Sequence, residues 1–420
     1  MSSPNADNVA SQHRDAAVGV VRTLRDAGHA AYLAGGCVRD ELLGLHPKDF
    51  DVATDATPDR ISRLFDRTSE VGAAFGVVLV RHHSRHGPHF ATEVATFRTD
   101  GVYSDGRRPD SVRFATAEED AKRRDFTINA LFLDPLAEDT EPAVIDFVGG
   151  RADLEAGVIR AVGDPNARLA EDHLRALRAV RFTCRLGFEI ERETADAIAE
   201  HASELAGVSR ERIGDEVRRM LAHPSRAAAI ERLARLSLDR PVLDSARAGP
   251  GEHRRARALD PAVPSAAVLA AWALDRDEAP GVVQRWRVAL NLTNAERDLL
   301  NATLHMRGEL ERNWASLPVA RQKRLAASMG FAEALAIRES ESHDQAGTIR
   351  ARLEELGRIG GGLWPEPVLS GEDLIALGIE PGPRFKGLLD NVFDAQLEGR
   401  ISTKAEAIGL IRELSAGPGV

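Results

Sequence analysis

Two carboxylates separated by one residue, Asp49-Phe50-Asp51, are the first place in this chain where chemistry could gather. They fall at the start of a strand-like stretch, 50–53, and in a strand residues i and i+2 project to the same side. Like charges held that close are costly unless a cation lies between them. Divalent ions bridged by such a pair are a recurrent device for in-line phosphoryl transfer. The same spacing recurs at Asp275-Arg276-Asp277, in a helical stretch where it reads as a solvated surface. Context separates the two, because only the first pair follows a Gly-Gly turn. A third acid, Glu93, stands in an apolar and Thr-rich strand over 91–98, either as an edge contact with solvent or as a further catalytic carboxylate.

Three cationic patterns accompany these acids. Gly35-Gly36-Cys37-Val38-Arg39-Asp40 follows a short strand at 30–34 and opens a helix. The glycines let a ligand approach the backbone closely, and Arg39 offers a planar fork for phosphate. Cys37 puts a thiol in that turn, which could make the site sensitive to thiol reagents. Arg123-Arg124-Asp125-Phe126-Thr127-Ile128-Asn129-Ala130 reads as arginines running into a helix whose apolar side is Phe126, Ile128 and Leu131. Arg124 is then either aimed at a triphosphate or half of a surface pair with Asp125 as a local cap. In Glu171-Asp172-His173-Leu174-Arg175-Ala176-Leu177-Arg178-Ala179-Val180-Arg181-Phe182, one acid and three arginines stand three apart. On a helix they form a slanted stripe about 13 Å long, suited to an anion or to solvent.

The elements that must position these groups are of two textures. Residues 15–27 read as a helix ended by Gly28, 38–45 as a helix, 58–65 as a helix capped by Thr57, and 77–81 as a strand. From about 165 onward the chain is rich in Ala, Leu, Glu and Arg and reads as helical throughout. The expected fold is α+β: an α/β head over 1–150, a helical neck over 151–225, a helical body over 226–345 and a helical tail over 346–420.

Composition narrows the setting. The chain has 420 residues and a net charge of −10, with five Lys against 50 Arg. An acidic total argues against a general nucleic-acid coat. Any RNA contact must therefore come from local patches such as the five arginines between 168 and 185, or Arg384 and Lys386 in the tail. Two cysteines exclude a disulfide scaffold and a four-cysteine zinc site. The longest apolar run, 266–274, is too short for a bilayer, for which about 20 residues are needed. The N-terminal stretch lacks a basic segment followed by an apolar one, so the expected location is the cytoplasm, with no membrane partner.

The motifs YLAGGCVRDELLG, KDFDVAT, EVATFR, RRDFTINAL and EDHLRALRAVRF, in this order over 30–190, resemble those of the bacterial (class II) CCA-adding tRNA nucleotidyltransferases and bacterial poly(A) polymerases. The segment 369–408 resembles the family's tail, whereas 226–345 has little in common with it. The resemblance implies a palm-like nucleotidyltransferase head. In it Asp49 and Asp51 hold Mg²⁺, Gly36 and Arg39 contact phosphates beside Gly35, and Arg124 binds the triphosphate. Asp172, Arg175, Arg178 and Arg181 form the nucleotide pocket. It implies CTP and ATP as substrates and the tRNA 3′ end as acceptor, and it leaves the oligomeric state open. The loop 101–109 looks full length, which in the family accompanies addition of A as well as C. Poly(A) polymerase shares every head motif and is the nearest alternative. Enzymes adding only C or only A come next, and a non-catalytic RNA-binding relative is disfavoured by the intact acid pair.

Elementary chemistry supports the Asp172–Arg175 role. Cytosine and adenine both present an amino donor beside an unprotonated ring nitrogen, whereas uracil and guanine present a carbonyl beside a ring N–H. A carboxylate only accepts and a guanidinium only donates, so one fixed pair accommodates C and A and leaves U and G mismatched. Two further patterns carry less. The cluster of His82, His83, His86 and His89 reads as a solvated hairpin tip, with adventitious metal binding the alternative. His343-Asp344 stands alone, and no appended phosphohydrolase activity is expected.

Overall fold

The computed structural model describes residues 4–70, 76–82, 89–101, 112–137, 143–245, 252–277 and 281–416. The chain forms two compact units, Met1–Met220 with Arg232–Ala248 and Leu221–Glu231 with Gly249–Val420.

The first unit opens with α1 (Pro4–Asp26), in which buried Ala17, Val20, Val21 and Leu24 recur at helical spacing. There follow β1 (Ala31–Ala34), α2 (Gly36–Leu42), β2 (Asp51–Thr54), α3 (Pro58–Leu64), β3 (Thr68–Glu70), β4 (Val77–His82) and β5 (Phe90–Thr96). A short ribbon, β6 (Arg98–Asp100) and β7 (Val112–Phe114), leads to α4 (Ala117–Lys122), β8 (Phe132–Asp134) and β9 (Ala143–Ile145). Seven of these strands form one mixed sheet in the order β3-β4-β5-β2-β1-β8-β9. β2 runs parallel to β5 and antiparallel to β1, with Val52 opposite Val94. That register sets Asp51, one residue earlier, abreast of Glu93. Along β5, Thr92, Val94 and Thr96 are buried while Glu93 faces the open side.

The helical part of this unit comprises α5 (Gly150–Ala156), β10 (Val158–Ile159), α6 (Pro165–Glu171), α7 (Leu174–Leu186), β11 (Glu189–Ile190), α8 (Arg192–Glu200), α9 (Arg210–Leu221), α10 (Arg226–Arg235) and α11 (Asp239–Leu243), the last residue of α9 and the first six residues of α10 belonging to the second unit. Several expectations are corrected. Asp172 does not share a helix with the arginines. α6 ends at Glu171, Asp172 is extended, and its Oδ1 accepts the Leu174 N–H and so starts α7. Arg123 and Arg124 follow the end of α4 rather than opening a helix, because Phe126 is extended and only a 3₁₀ turn, Thr127–Asn129, comes next. Thr57 occupies the cap position of α3 without a side-chain cap bond. The head boundary expected at 150 falls at the first residue of α5.

The second unit is helical: α12 (Arg254–Ala258), α13 (Ser265–Asp275), α14 (Val282–Ala289), α15 (Asn294–Arg312), α16 (Val319–Ala326), α17 (Phe331–Glu341), α18 (His343–Gly357), α19 (Gly371–Ala376), α20 (Pro383–Leu397) and α21 (Lys404–Ala416). The apolar run is α13, buried on all sides, with Trp272 packed on Trp286 at 5.4 Å. Among the described residues no helix is long and apolar enough to cross a membrane. The expected boundary at 345 cuts into α18, whose Ala346, Ile349 and Leu356 share a core with Met306, Trp314 and Phe331. The tail has its own cluster, Leu374, Leu388, Val392, Ala407 and Ile411.

Asp275 is likewise not the solvated acid expected. Its side chain is 4% exposed, it pairs with Arg255 at 3.2 Å, and it accepts the Arg255 and Ala256 N–H groups at the start of α12. Asp275→Ala should therefore cost about 2–3 kcal/mol, whereas Asp196→Asn, 75% exposed on α8, should stay within about 0.5 kcal/mol. Urea unfolding of the two variants of the full chain checks the contrast, and equal stabilities would refute it.

Candidate active site

All eleven residues singled out from the sequence line one cavity of about 660 Å³: Gly35, Gly36, Arg39, Asp49, Asp51, Glu93, Arg124, Asp172, Arg175, Arg178 and Arg181. Arg123, Asp125, Asn129, Phe182 and Arg219 complete much of the wall.

The Gly-Gly turn is shaped by its neighbour. Gly35 has φ +76°, and a Cβ there would lie 2.9 Å from Arg124 Nη1. Arg124 is fixed in turn by Asp120, which accepts from its Nε and Nη2, and by the Asn129 carbonyl, which accepts from Nη1. The turn and the candidate triphosphate arginine are thus built against each other.

The acids converge electrostatically. Desolvation first, then the charges of Glu93 and Asp49, push the Asp51 carboxyl up to about 7, while Arg124 draws it down. Desolvation and Asp49 also raise Glu93. Among the described residues no group of three or more His, Cys, Asp and Glu meets as a preformed metal cage. Mg²⁺ does not require one, since it commonly takes one or two carboxylates and completes its shell with water and substrate phosphates. Carboxylates that oppose one another's ionisation are the donor set such an ion relieves, so Asp49 and Asp51 fit it.

Arg39 does not reach outward as the phosphate fork expected. Its side chain is 2% exposed, its Nε and Nη2 donate to Asp40 Oδ1 at 2.9 and 2.7 Å, and its Nη1 donates to Asn129 Oδ1 at 2.5 Å. Nor is Asp125 a surface cap. It is buried, accepting from Arg178 at 2.6 and 2.8 Å, from Asn129 Nδ2 and from the Phe126 N–H. Burial raises its carboxyl, but Arg178, Asn129 and Phe126 together hold it at about 2. Arg185 closes the circuit on Asp40 Oδ2 at 2.7 Å. The bonds form a ring, Arg178–Asp125–Asn129–Arg39–Asp40–Arg185, that begins and ends on α7.

The arginine stripe is also held by acids. Arg175 donates to Glu171 and to the Arg168 carbonyl, and Arg181 donates to Glu216 at 2.6 Å. Asp172 Oδ2 accepts from Arg212 at 2.6 Å. Phe182 lies under the guanidiniums of Arg181, Arg39 and Arg178, at 4.2, 5.0 and 5.3 Å from its ring centre. Arg212 and Glu216 escape a reading of the sequence because they sit on α9, more than 30 residues from Asp172 and Arg181, and Arg219 enters the site only through Glu216. Asn129 and Phe182 were within the quoted motifs, but nothing in their spacing sets them apart.

Residues 31–160 match the family model described as the poly(A) polymerase head domain, and residues 187–247 match one described as a probable RNA and SrmB-binding site of polymerase A. The sheet, the Gly-Gly turn and the carboxylates thus make up a domain of the poly(A) polymerase head type. A CCA-adding enzyme from Geobacillus thermodenitrificans is 45% identical over 223 residues, 53% of each chain. One from Lactiplantibacillus plantarum is 39% identical over 289 residues, 66% of this chain and 68% of that one. The crystal structure of the Bacillus stearothermophilus CCA-adding enzyme in complex with CTP superposes with a TM-score of 0.77 and 29% identity, covering 99% of this chain and 98% of that one. The chain belongs to the CCA-adding enzyme family. The chain spans about half the length of the first curated relatives it matches.

The loop expected over 101–109 lies, apart from Gly101, outside the described residues, as do His83 and His86. His82 is described: its Nε2 lies 2.9 Å from Thr92 Oγ1 and its ring stacks on Phe90. Cys37 overturns the expected thiol sensitivity. Its Sγ donates to the Ala34 carbonyl at 3.3 Å, and burial, with the Asp51 charge, pushes the thiol up to about 12. Iodoacetamide at pH 8 should leave Cys37 unmodified in the native protein and modify it in urea. Native labelling at the rate of a free thiol, read by peptide mass, would contradict this. Asp51 yields a second prediction. Because its folded value is raised from 3.8 to about 7, the stability it contributes is full below about pH 4 and is lost as pH rises through 7. In EDTA, Asp51→Asn should melt above the wild type at pH 8 and level with it at pH 4; a pH-independent difference would remove the reading.

Proposed function

We propose that this protein adds CMP and AMP, from CTP and ATP, to the 3′ end of tRNA, building and repairing its CCA terminus in the cytoplasm. What carries the reading is that an acid–arginine base reader, Asp172 with Arg175, and the carboxylates Asp49, Asp51 and Glu93 line a single cleft. Family membership supports it.

In this reading the 3′-hydroxyl of the RNA attacks the α-phosphorus of the nucleotide, and pyrophosphate leaves. Asp49 and Asp51 would hold Mg²⁺, which when bound supplies positive charge against the triphosphate and eases loss of the hydroxyl proton. Glu93, abreast of Asp51, adds a like charge to the acid cluster that a bound cation would relieve. Arg124, pinned to Asp120 and to the Asn129 carbonyl, presents its guanidinium beside the Gly35–Gly36 turn, where backbone and side chain together can cradle phosphate. Asp172 holds its orientation through Arg212 and the Leu174 N–H, and Arg175 through Glu171 and the Arg168 carbonyl. An acceptor and a donor fixed before the base arrives impose the C-and-A pattern without a nucleic-acid template. Arg178 and Arg181 hold the pocket wall and add positive charge to it. The helical segments beyond the head would grip the folded part of the tRNA.

Incubating the protein with tRNA lacking its CCA end, with each nucleotide singly and with CTP plus ATP, tests the reading. Products ending in CCA only when both are present are expected. Long A tails would favour poly(A) polymerase, and products stopping at CC, or A added only to CC ends, would favour a split-function enzyme. Asp49→Ala or Asp51→Ala should abolish incorporation while tRNA binding persists; turnover in both would sink the metal assignment. Asp172→Ala should lower discrimination against UTP and GTP by about 1–3 kcal/mol, because Arg175 could still donate to a carbonyl once the acceptor is gone. An unchanged ratio under single-turnover conditions would reduce Asp172 to the partner of Arg212.

A further inference from the structure

Seven arginines line the cleft, and six of them are largely withdrawn from water. The side chains of Arg39, Arg123, Arg124, Arg175, Arg178 and Arg181 are between 2% and 32% exposed. Arg219 differs, with 61% exposure and one ion pair, Nη1 to Glu216 Oε1 at 3.1 Å. Glu216 is nearly buried and its other oxygen already accepts from Arg181 Nε at 2.6 Å. One carboxylate therefore serves two guanidiniums, and the excess positive charge falls on the outer one. Through the shared Glu216, Arg219 lies beside Arg181 on the α7–α9 side of the cleft, while Arg124 stands against the Gly35 turn.

A guanidinium that is held loosely, at the mouth, and away from the triphosphate turn suits a phosphate that stays outside the pocket. We infer that Arg219 contacts the phosphodiester backbone of the RNA strand whose 3′ end is being extended, an inference that rests on the tRNA-extending reading above. The Glu216 bond pre-orients the side chain, and an incoming phosphate replaces a contact that Glu216 can surrender because Arg181 still neutralises it. The incoming nucleotide, enclosed by the buried arginines, would not feel the change.

The test uses the full-length protein, a tRNA transcript ending before CCA, and the variants Arg219→Ala and Arg219→Lys. Arg60→Ala, exposed on α3 of the head and absent from the cleft wall, controls for loss of one charge. In Arg219→Ala the KM for the transcript should rise about tenfold, with the KM values for CTP and ATP unchanged. The slope of log affinity against log salt should become shallower by about 0.7. Arg219→Lys should recover most of the affinity, and Arg60→Ala should match the wild type. A rise in nucleotide KM instead, or an RNA affinity and salt slope like the wild type's, would overturn the assignment. If the wild type itself extends no tRNA, the functional reading fails first; anisotropy of the labelled transcript then still reports whether Arg219 binds RNA.

Discussion

The buried ion pair between Asp125 and Arg178 is the constraint on which the site depends. A carboxylate taken wholly out of water is tolerable only when its lone pairs are filled, and here a guanidinium, an amide and a backbone N–H fill them. Because Arg178 belongs to α7 and Asp125 to the loop after α4, satisfying the charge fixes a helix against the sheet-bearing head. Asn129 carries the constraint to Arg39, Asp40 returns it through Arg185, and α7 is held at two points seven residues apart. The strands around Asp51 and Glu93 and the arginines of α7 are therefore parts of one framework.

The same economy recurs around the cleft. Asp40, Asp120, Glu171 and Glu216 each serve two guanidiniums. Sharing satisfies the acids while keeping the wall electropositive, which lets a protein of net charge −10 present a polyanion with a local field of the right sign. Arginine rather than lysine suits this arrangement: its fork can bond two partners at once and its charge does not vary with pH. Phe182 adds an aromatic ring near which the guanidiniums of Arg39, Arg178 and Arg181 gather without a further acid.

Much of the site was legible in the sequence because its residues lie in short local motifs. Period-two and turn signals placed β1, β2, β4 and β5, and the acid spacing marked Asp49 and Asp51. What failed was inference about company. The stripe from Asp172 to Arg181 has helical spacing, yet an aspartate that bonds the amide two residues on ends one helix and begins another. Arg39 and Asp275 look like surface charges by type, and partners distant in sequence, Asn129 beside the adjacent Asp40 for one and Arg255 for the other, explain why they are withdrawn from solvent. No local pattern announces that α9 supplies Arg212 and Glu216, since those pairings exist only once the helices have packed.

The two cysteines have a practical meaning. Cys37 is enclosed beside the Asp51 carbonyl, and Cys184 is partly covered with its thiol pushed up to about 11 by burial. A native chain with both thiols held in the protonated form is a chemical blank at neutral pH. A single cysteine introduced at an exposed position such as Ile375, 56% exposed on α19, would then carry a fluorophore or spin label almost alone. The fold thus offers a reporter position in its tail without any need to remove a native residue from the cleft.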